Sequence, residues 1–426
     1  MPINSRRPPR AWVTLLVLGW LSACGGQAAR AERPEAPPTM SAAPGPRSAA
    51  SPRTIDATVI EGSARSADED APPRDASAED ADRPLSPDTP LVALALPMSG
   101  GARRLGQNLE QVARHLAATE SPPTLRLAVI DAHSPEVAVQ WASLRQQSAA
   151  GVVLVTPDRA VVASWVEQAR SGGLPLVVVS SADEALASPG QAWRAIHGAK
   201  LVARTLAGAV VARGIRRIGV VASDSATDES GVRLLKAAFK AGGAEVAFEL
   251  RHPVTTPDWA AVSKQTKAAV EGGIDALAVL EPPVAASQLL AHLARHGVWS
   301  SGVVDVPKGQ RSVLVLGTPE WDDPALLAQS ARYFEGALVP SPFANETPAG
   351  AAMKARLQSV GLRATALDAL MWESLMALAS AGRPGGAALS ASPFAQWTSG
   401  LDFSSPDALK RLFVLEFAGG KLVPAR

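Results

Sequence analysis

The 426-residue chain has one cysteine, Cys24, so it builds no internal disulfide and offers no second thiol for catalysis or metal ligation. Charge of one sign is not in excess either. Its 41 basic residues face 40 acidic ones, a net charge of +1, which leaves no electrostatic footprint for nucleic acid. Long hydrophobic runs are missing: Ala11 to Trp20 is the single candidate and falls short of the roughly 20 residues that span hydrocarbon. Catalytic signatures are missing as well. Gly100-Gly101 followed by Gly106 has neither the dinucleotide-binding spacing nor the lysine of a P-loop, and no Gly-x-Ser-x-Gly elbow occurs. His292 and His296 stand at i, i+4, but no glutamate follows His292 as a zinc protease requires, and histidines in a last turn suit the helix dipole. His115, His133, His197 and His252 have no acidic or cysteine partner at ligand spacing. These absences argue against an enzyme, a metal centre and a cofactor.

What is present begins at the N-terminus. Arg6, Arg7 and Arg10 precede the apolar run, and Leu21-Ser22-Ala23-Cys24-Gly25 closes it. A basic start, a short apolar middle and a small-residue end are the parts of a secretory signal, placed here at residues 1–23. The closing five residues resemble the bacterial lipobox, which implies a diacylglycerol on Cys24 as the mature N-terminus. Two or three acyl chains anchor firmly, at about 0.8 kcal/mol per buried methylene. An ordinary cleaved signal with a chance cysteine is the plain alternative. Gly25 stands where aspartate would mark inner-membrane retention in enteric bacteria, so the outer membrane is the expected destination, with the inner membrane open. Residues 24–90 are rich in Ala, Pro, Ser, Arg and acids and almost free of aromatics. So little apolar surface does not offset ordering entropy, and we expect a disordered tether extending about 45 Å as a flexible coil.

From Leu91 onward short apolar runs alternate with amphipathic stretches. Leu91–Leu96, Leu125–Ile130, Val152–Val155 and Leu176–Val179 read as buried strands, and Leu105, Leu109, Val112 and Leu116 hold helical spacing over 104–116. The alternation then restarts with Ile218–Val221, Val246–Leu250, Ala276–Leu280 and Val313–Leu316, with helices near 229–241, 257–271 and 284–296. Strands that are apolar throughout and separated by helices predict parallel sheets covered on both faces. The expected fold is therefore α/β, with two lobes of doubly wound parallel sheet. Lobe 1 is expected at about 91–197 and 317–398, and lobe 2 at about 198–316 and 399–426. A helix over 364–381 and a ribbon pairing Leu401–Phe403 with Leu412–Phe417 are expected in the tail, with Asp407 and Gly419-Gly420 turning the chain.

In such sheets ligands bind beyond the carboxyl ends of the strands. Three turns there are candidate binding loops. The first holds Ser99, Gly100 and Gly101, the second Ser180, Ser181 and Asp183, and the third Thr318 and Trp321 within Gly317-Thr-Pro-Glu-Trp. Asp224 and Glu281 sit at further strand ends. Turn-making and helix-capping is the plain alternative for each.

The ordered set Leu94-Ala-Leu-Pro-Met-Ser-Gly-Gly, Gly151-Val-Val-Leu-Val-Thr-Pro, Leu174-Pro-Leu-Val-Val-Val-Ser-Ser, Gly219-Val-Val-Ala-Ser-Asp and Gly273-Ile-Asp-Ala-Leu resembles the type I periplasmic binding proteins over residues 91–426. Within them, Leu316-Gly-Thr-Pro-Glu-Trp-Asp-Asp-Pro, Arg332-Tyr-Phe-Glu-Gly-Ala and the end from Phe403 to Leu422 look like the penicillin-binding-protein activator lipoproteins. That resemblance implies an outer-membrane lipoprotein that faces the periplasm and regulates peptidoglycan synthesis through a cell-wall synthase. The enteric activators carry a helical-repeat domain where this chain has its tether. The second expectation is a solute-binding lipoprotein of an ABC transporter, taking an amino acid or another small polar ligand. Amino-acid receptors of the fold hold the ligand's ammonium with an acid and an aromatic residue. Here Ala285 falls where the acid belongs, Glu281 is near, and the single tyrosine, Tyr333, is elsewhere. This counts against a leucine-type receptor. Lobe closure about the crossing segments is expected to couple ligand to partner.

Overall fold

Six consecutive apolar residues form β1 (Leu91–Leu96), and all six are buried. Alternate side chains serve opposite faces of the sheet: Val92, Leu94 and Leu96 join one core, and Leu91, Ala93 and Ala95 the other. That is the two-residue period of a strand covered on both faces. The structure, a computed structural model, describes residues 89–120, 125–180, 191–255, 257–322, 330–381, 389, 398 and 400–425. The expected signal peptide, Cys24 and all but the last two residues of the expected tether lie outside them, as do Ser181 and Asp183.

The first sheet is wholly parallel. It runs in the order β2 (Arg126–Asp131), β1, β3 (Gly151–Val155), β4 (Leu176–Val179), β5 (Ala192–Arg194). Helices α1 (Arg103–Thr119), α2 (Val137–Gln146) and α3 (Arg159–Gly172) cross between its strands. Asp158 caps α3 by accepting from the N–H groups of Ala160 and Val161.

After β5 the chain enters α4 (Ala199–Ala212) and a second, eight-stranded sheet. Its elements in chain order are β6 (Arg217–Ser223), α5 (Ala226–Ala241), β7 (Glu245–His252), α6 (Trp259–Glu271), β8 (Ala276–Leu280), α7 (Pro283–Arg295), β9 (Val298–Ser300), β10 (Arg311–Leu316) and β11 (Leu338–Ser341). Helices α8 (Pro348–Gln358) and α9 (Ala366–Ala381) then return to the first lobe, before β12 (Phe413–Ala418) and β13 (Lys421–Pro424) close the second sheet. The spatial order is β13-β12-β11-β10-β8-β6-β7, with β9 also on β10. Only the pairs β11–β12 and β12–β13 are antiparallel.

The two-lobed α/β expectation holds, and three details change. The chain leaves lobe 2 after β11, not at 317, because Leu338–Ser341 pairs with β10 and β12. It returns near 410, not at 399, because Leu401, Phe403, Ala408 and Leu409 are buried in the first lobe's core. The closing ribbon pairs β12 with β13, and Leu401 bridges Leu409 instead. Gly419 and Gly420, both at positive φ, form the two-residue turn between β12 and β13, as the twist of adjoining strands favours. Asp407 binds Arg194.

Helix α9 is apolar on most of its circumference because it is packed over the middle of the first sheet. At Gly151 of β3 an added Cβ would lie 2.6 Å from a Leu378 methyl, so a glycine is required for that approach. Among the described residues no helix is long and apolar enough to cross a membrane.

Candidate functional site

The carboxyl ends of the strands carry the candidate residues. In lobe 1 the turn after β1 is fastened to the end of β2. Asp131 Oδ1 accepts from the backbone N–H of Met98 at 3.1 Å and of His133 at 3.0 Å. Burial opposes ionisation of Asp131, but hydrogen bonds from the His133 N–H, the Ser99 hydroxyl and the Met98 N–H outweigh it and hold the carboxyl below its ordinary value. Ser99 therefore braces its own loop. Gly100 supplies a positive φ of 69°, and both Gly100 and Gly101 are exposed, with open space where a Cβ would stand. A glycine is required instead at Gly106, whose added Cβ would meet the Pro97 carbonyl oxygen at 2.4 Å. Ser180 is buried at the end of β4.

The second lobe's edge is built differently. A cavity of about 410 Å³ opens at the ends of β8 and β10, between the first turns of α4, the middle of α5 and the start of α7. Val202, Leu235, Leu280 and Pro283 give it apolar walls, with Glu281 and Thr318 in the lining and Glu320 exposed at its rim. Two of the expected site residues thus come together here. A larger cavity, of about 570 Å³ between Arg213, Asp275 and Glu416, lies at the opposite, amino-terminal edge of the same sheet. Ligands of open parallel sheets bind at the carboxyl edge, so the smaller cavity is the candidate.

Glu281 is not offered freely to a ligand. Its Oε1 lies 2.9 Å from His252 Nε2, and both side chains are at least 95% buried. His252 Nδ1 faces the Pro253 carbonyl at 3.0 Å. Both ring nitrogens thus face oxygens. A carbonyl oxygen can only accept, so Nδ1 is the donor in that contact. The Trp259 ring meets the imidazole edge to face at 5.0 Å. The pair joins the ends of β7 and β8 across the end of β6, which lies between them.

Trp321 and Asp224 are corrections to the expected site. Trp321 is fully buried: its indole N–H donates to the Glu281 carbonyl at 2.8 Å and its ring packs edge to face on Phe334. An added Cβ on Gly317 would lie 2.2 Å from that indole. The Gly-x-x-x-Trp spacing is a packing motif, with the ring folded back over the glycine. Asp224 is exposed and its Oδ1 accepts from the Val254 N–H at 3.2 Å, while its own N–H donates to the His252 carbonyl. It ties β6 to β7 and does not line the cavity. The cavity walls from α4 and α5, Val202 and Leu235 among them, were not foreseen. Their apolar positions are indistinguishable in sequence from core positions on the same helices.

A family described as periplasmic binding protein matches residues 92–413, and the chain belongs to that family. Its members are ligand binders of the periplasm and cell envelope, so this chain is a binding protein and not an enzyme. No curated protein matches the sequence significantly. Solved structures share the fold at low identity. One, from Rhodospirillum rubrum and described as a branched-chain amino acid ABC transporter protein, is 15% identical with a TM-score of 0.67, covering 79% of this chain and 100% of its own. The leucine-binding protein of Thermotoga maritima is 17% identical with a TM-score of 0.56, over 79% and 98%. A solute-binding protein of Rhodopseudomonas palustris in complex with 3,4-dihydroxybenzoic acid is 18% identical with a TM-score of 0.56, over 79% and 96%.

Proposed function

We propose that this chain is the solute-binding component of an ABC-type transporter, holding a small molecule between its lobes at the carboxyl edge of the second sheet. The observation that carries this reading is the cavity lined by Val202, Leu235, Leu280, Glu281 and Thr318. It is the size of a small-ligand pocket, apolar with a few convergent polar groups. The fold relatives described as binding leucine or a hydroxybenzoate support it. A regulator of cell-wall synthesis is supported less. Its strongest sequence mark is the Gly317–Trp321 stretch, and the buried indole over Gly317 accounts for that stretch by packing.

Attachment through a lipid on Cys24, facing the periplasm, completes the proposal. Labelled palmitate is expected on the wild type and not on Cys24→Ser, and label on the variant would end it. For the solute, calorimetry of the purified protein against leucine, isoleucine, benzoate and 4-hydroxybenzoate tests the reading. Micromolar binding of one of them is expected. Silence toward all four, together with capture of a cell-wall synthase, would overturn it in favour of the regulator.

A further inference from the structure

We propose a second site in the same chain: a pocket for a small, multiply charged oxyanion of the phosphate class, set where the chain crosses between the lobes. The pocket has a volume of about 440 Å³ and is lined by Arg194, Lys200, Arg204 and Lys410, with a single carboxylate, Asp407. One wall belongs to lobe 1. Arg194 is held there by backbone bonds to Pro406 and Ala408, and its guanidinium binds Asp407 from Nε at 2.8 Å and from Nη2 at 2.5 Å. The other wall is the first turn and a half of α4, which belongs to lobe 2. Lys410 donates to the Ser405 hydroxyl and lies near Asp402. The lone lining carboxylate is thus already satisfied, and the charge left over is positive.

Three local features of α4 run against its own stability. Lys200 is the second residue of the helix, where the macrodipole disfavours a cation. Lys200 and Arg204 stand four residues apart on one face, a like-charge spacing that destabilises a helix. The residue before the helix, Gly198, makes no side-chain cap, and a helix leaves its first N–H groups without intrahelical partners. Both cations are exposed and neither makes an ion pair or side-chain hydrogen bond among the described residues. An anion seated between Arg194, Lys200, Arg204 and Lys410 reverses all three costs at once. Conflicts between local rules and the fold tend to fall at functional positions. Because the walls come from both lobes, such an anion would also bear on lobe movement.

Pyrophosphate is the probe, titrated by calorimetry into the full-length protein at low ionic strength, with thermal melting in parallel. Binding that weakens with added salt is expected, with a raised melting midpoint. Lys200→Glu with Arg204→Glu should weaken it about tenfold or more by removing charge-assisted bonds. The control Lys308→Glu, at an exposed site outside the pocket, should not. Without pyrophosphate, Lys200→Glu alone should melt above the wild type, since it turns a repulsive pair on α4 into an attractive one. Flotation with phosphatidylglycerol vesicles, against phosphatidylcholine, separates a lipid headgroup from a free anion as the phosphate source. Retention on the former that is lost in the double variant also supports the pocket. Equal pyrophosphate binding by wild type and double variant overturns the proposal. So does a wild type that binds neither pyrophosphate nor phosphatidylglycerol.

Discussion

The two lobes share one plan and build unlike edges. Lobe 1 ends its strands in an exposed polar turn, Ser99 to Gly101, braced by Asp131 from the neighbouring strand. Lobe 2 ends its strands in buried groups, the His252–Glu281 pair and the Trp321 indole, around an apolar cavity. The first edge presents hydrogen-bonding groups at the surface, and the second presents shape and apolar wall. Their buried carboxylates differ in the same way. Glu281 has an imidazole partner, whereas Asp368 in lobe 1 relies on the Thr365 N–H and hydroxyl. A binding protein gains from such asymmetry: one edge can orient polar atoms while the other selects bulk.

Substitutions sharpen this contrast, beginning with the largest. Trp321→Ala removes a fully buried ring and should cost about 3–5 kcal/mol in urea unfolding. A cost under about 1 kcal/mol would return Trp321 to the ligand surface. His252→Ala removes the imidazole from the buried Glu281 carboxylate and should cost about 3 kcal/mol, with the loss confined to lobe 2 in hydrogen exchange.

Asp368→Asn should do the opposite in lobe 1. Burial pushes the Asp368 carboxyl up from 3.8 to about 6, in spite of the Thr365 hydrogen bonds that favour its charged form. A raised folded value means that its stabilising protonation is complete below pH 3.8 and lost as pH rises through about 6. The variant should therefore gain on the wild type between pH 4 and pH 6 and hold a lead of up to about 3 kcal/mol above that. A difference that does not change with pH would show that Asp368 does not titrate there. Ser99→Ala, on the exposed edge, should cost about 1 kcal/mol or less and raise the apparent value of Asp131.

Much of the fold is legible in the sequence because its strands are doubly covered. Leu91–Leu96 and Val152–Val155 are apolar at every position, which a parallel sheet between helices requires. Strand β11 is not legible: it has four residues, and Pro340 lies within it, which argues against a central strand. That one strand moves the lobe boundary. The site was legible in place more than in residues. Glu281 and Thr318 are legible as residues that follow strands, and both line the lobe 2 cavity, but an aromatic after a glycine turn gives no sign of burial such as that of Trp321. His252 is flanked in sequence by Arg251 and Pro253, with no acid beside it. Its partner is 29 residues on, brought near by parallel strands on either side of β6.

Filling the lobe 2 cavity tests the central claim most directly. Gly231 of α5 lines it, and an added Cβ there would meet only a Leu280 methyl at an ordinary 3.7 Å. Gly231→Leu should therefore fold at least as well as the wild type, since a helix interior gains about 0.5–1 kcal/mol on losing glycine, while its side chain occupies the cavity. For whichever of leucine, isoleucine, benzoate and 4-hydroxybenzoate the wild type binds, calorimetry should show affinity lost by about a hundredfold or more, nearly 3 kcal/mol. Undiminished affinity in a fully folded Gly231→Leu protein would contradict the account and place the solute elsewhere.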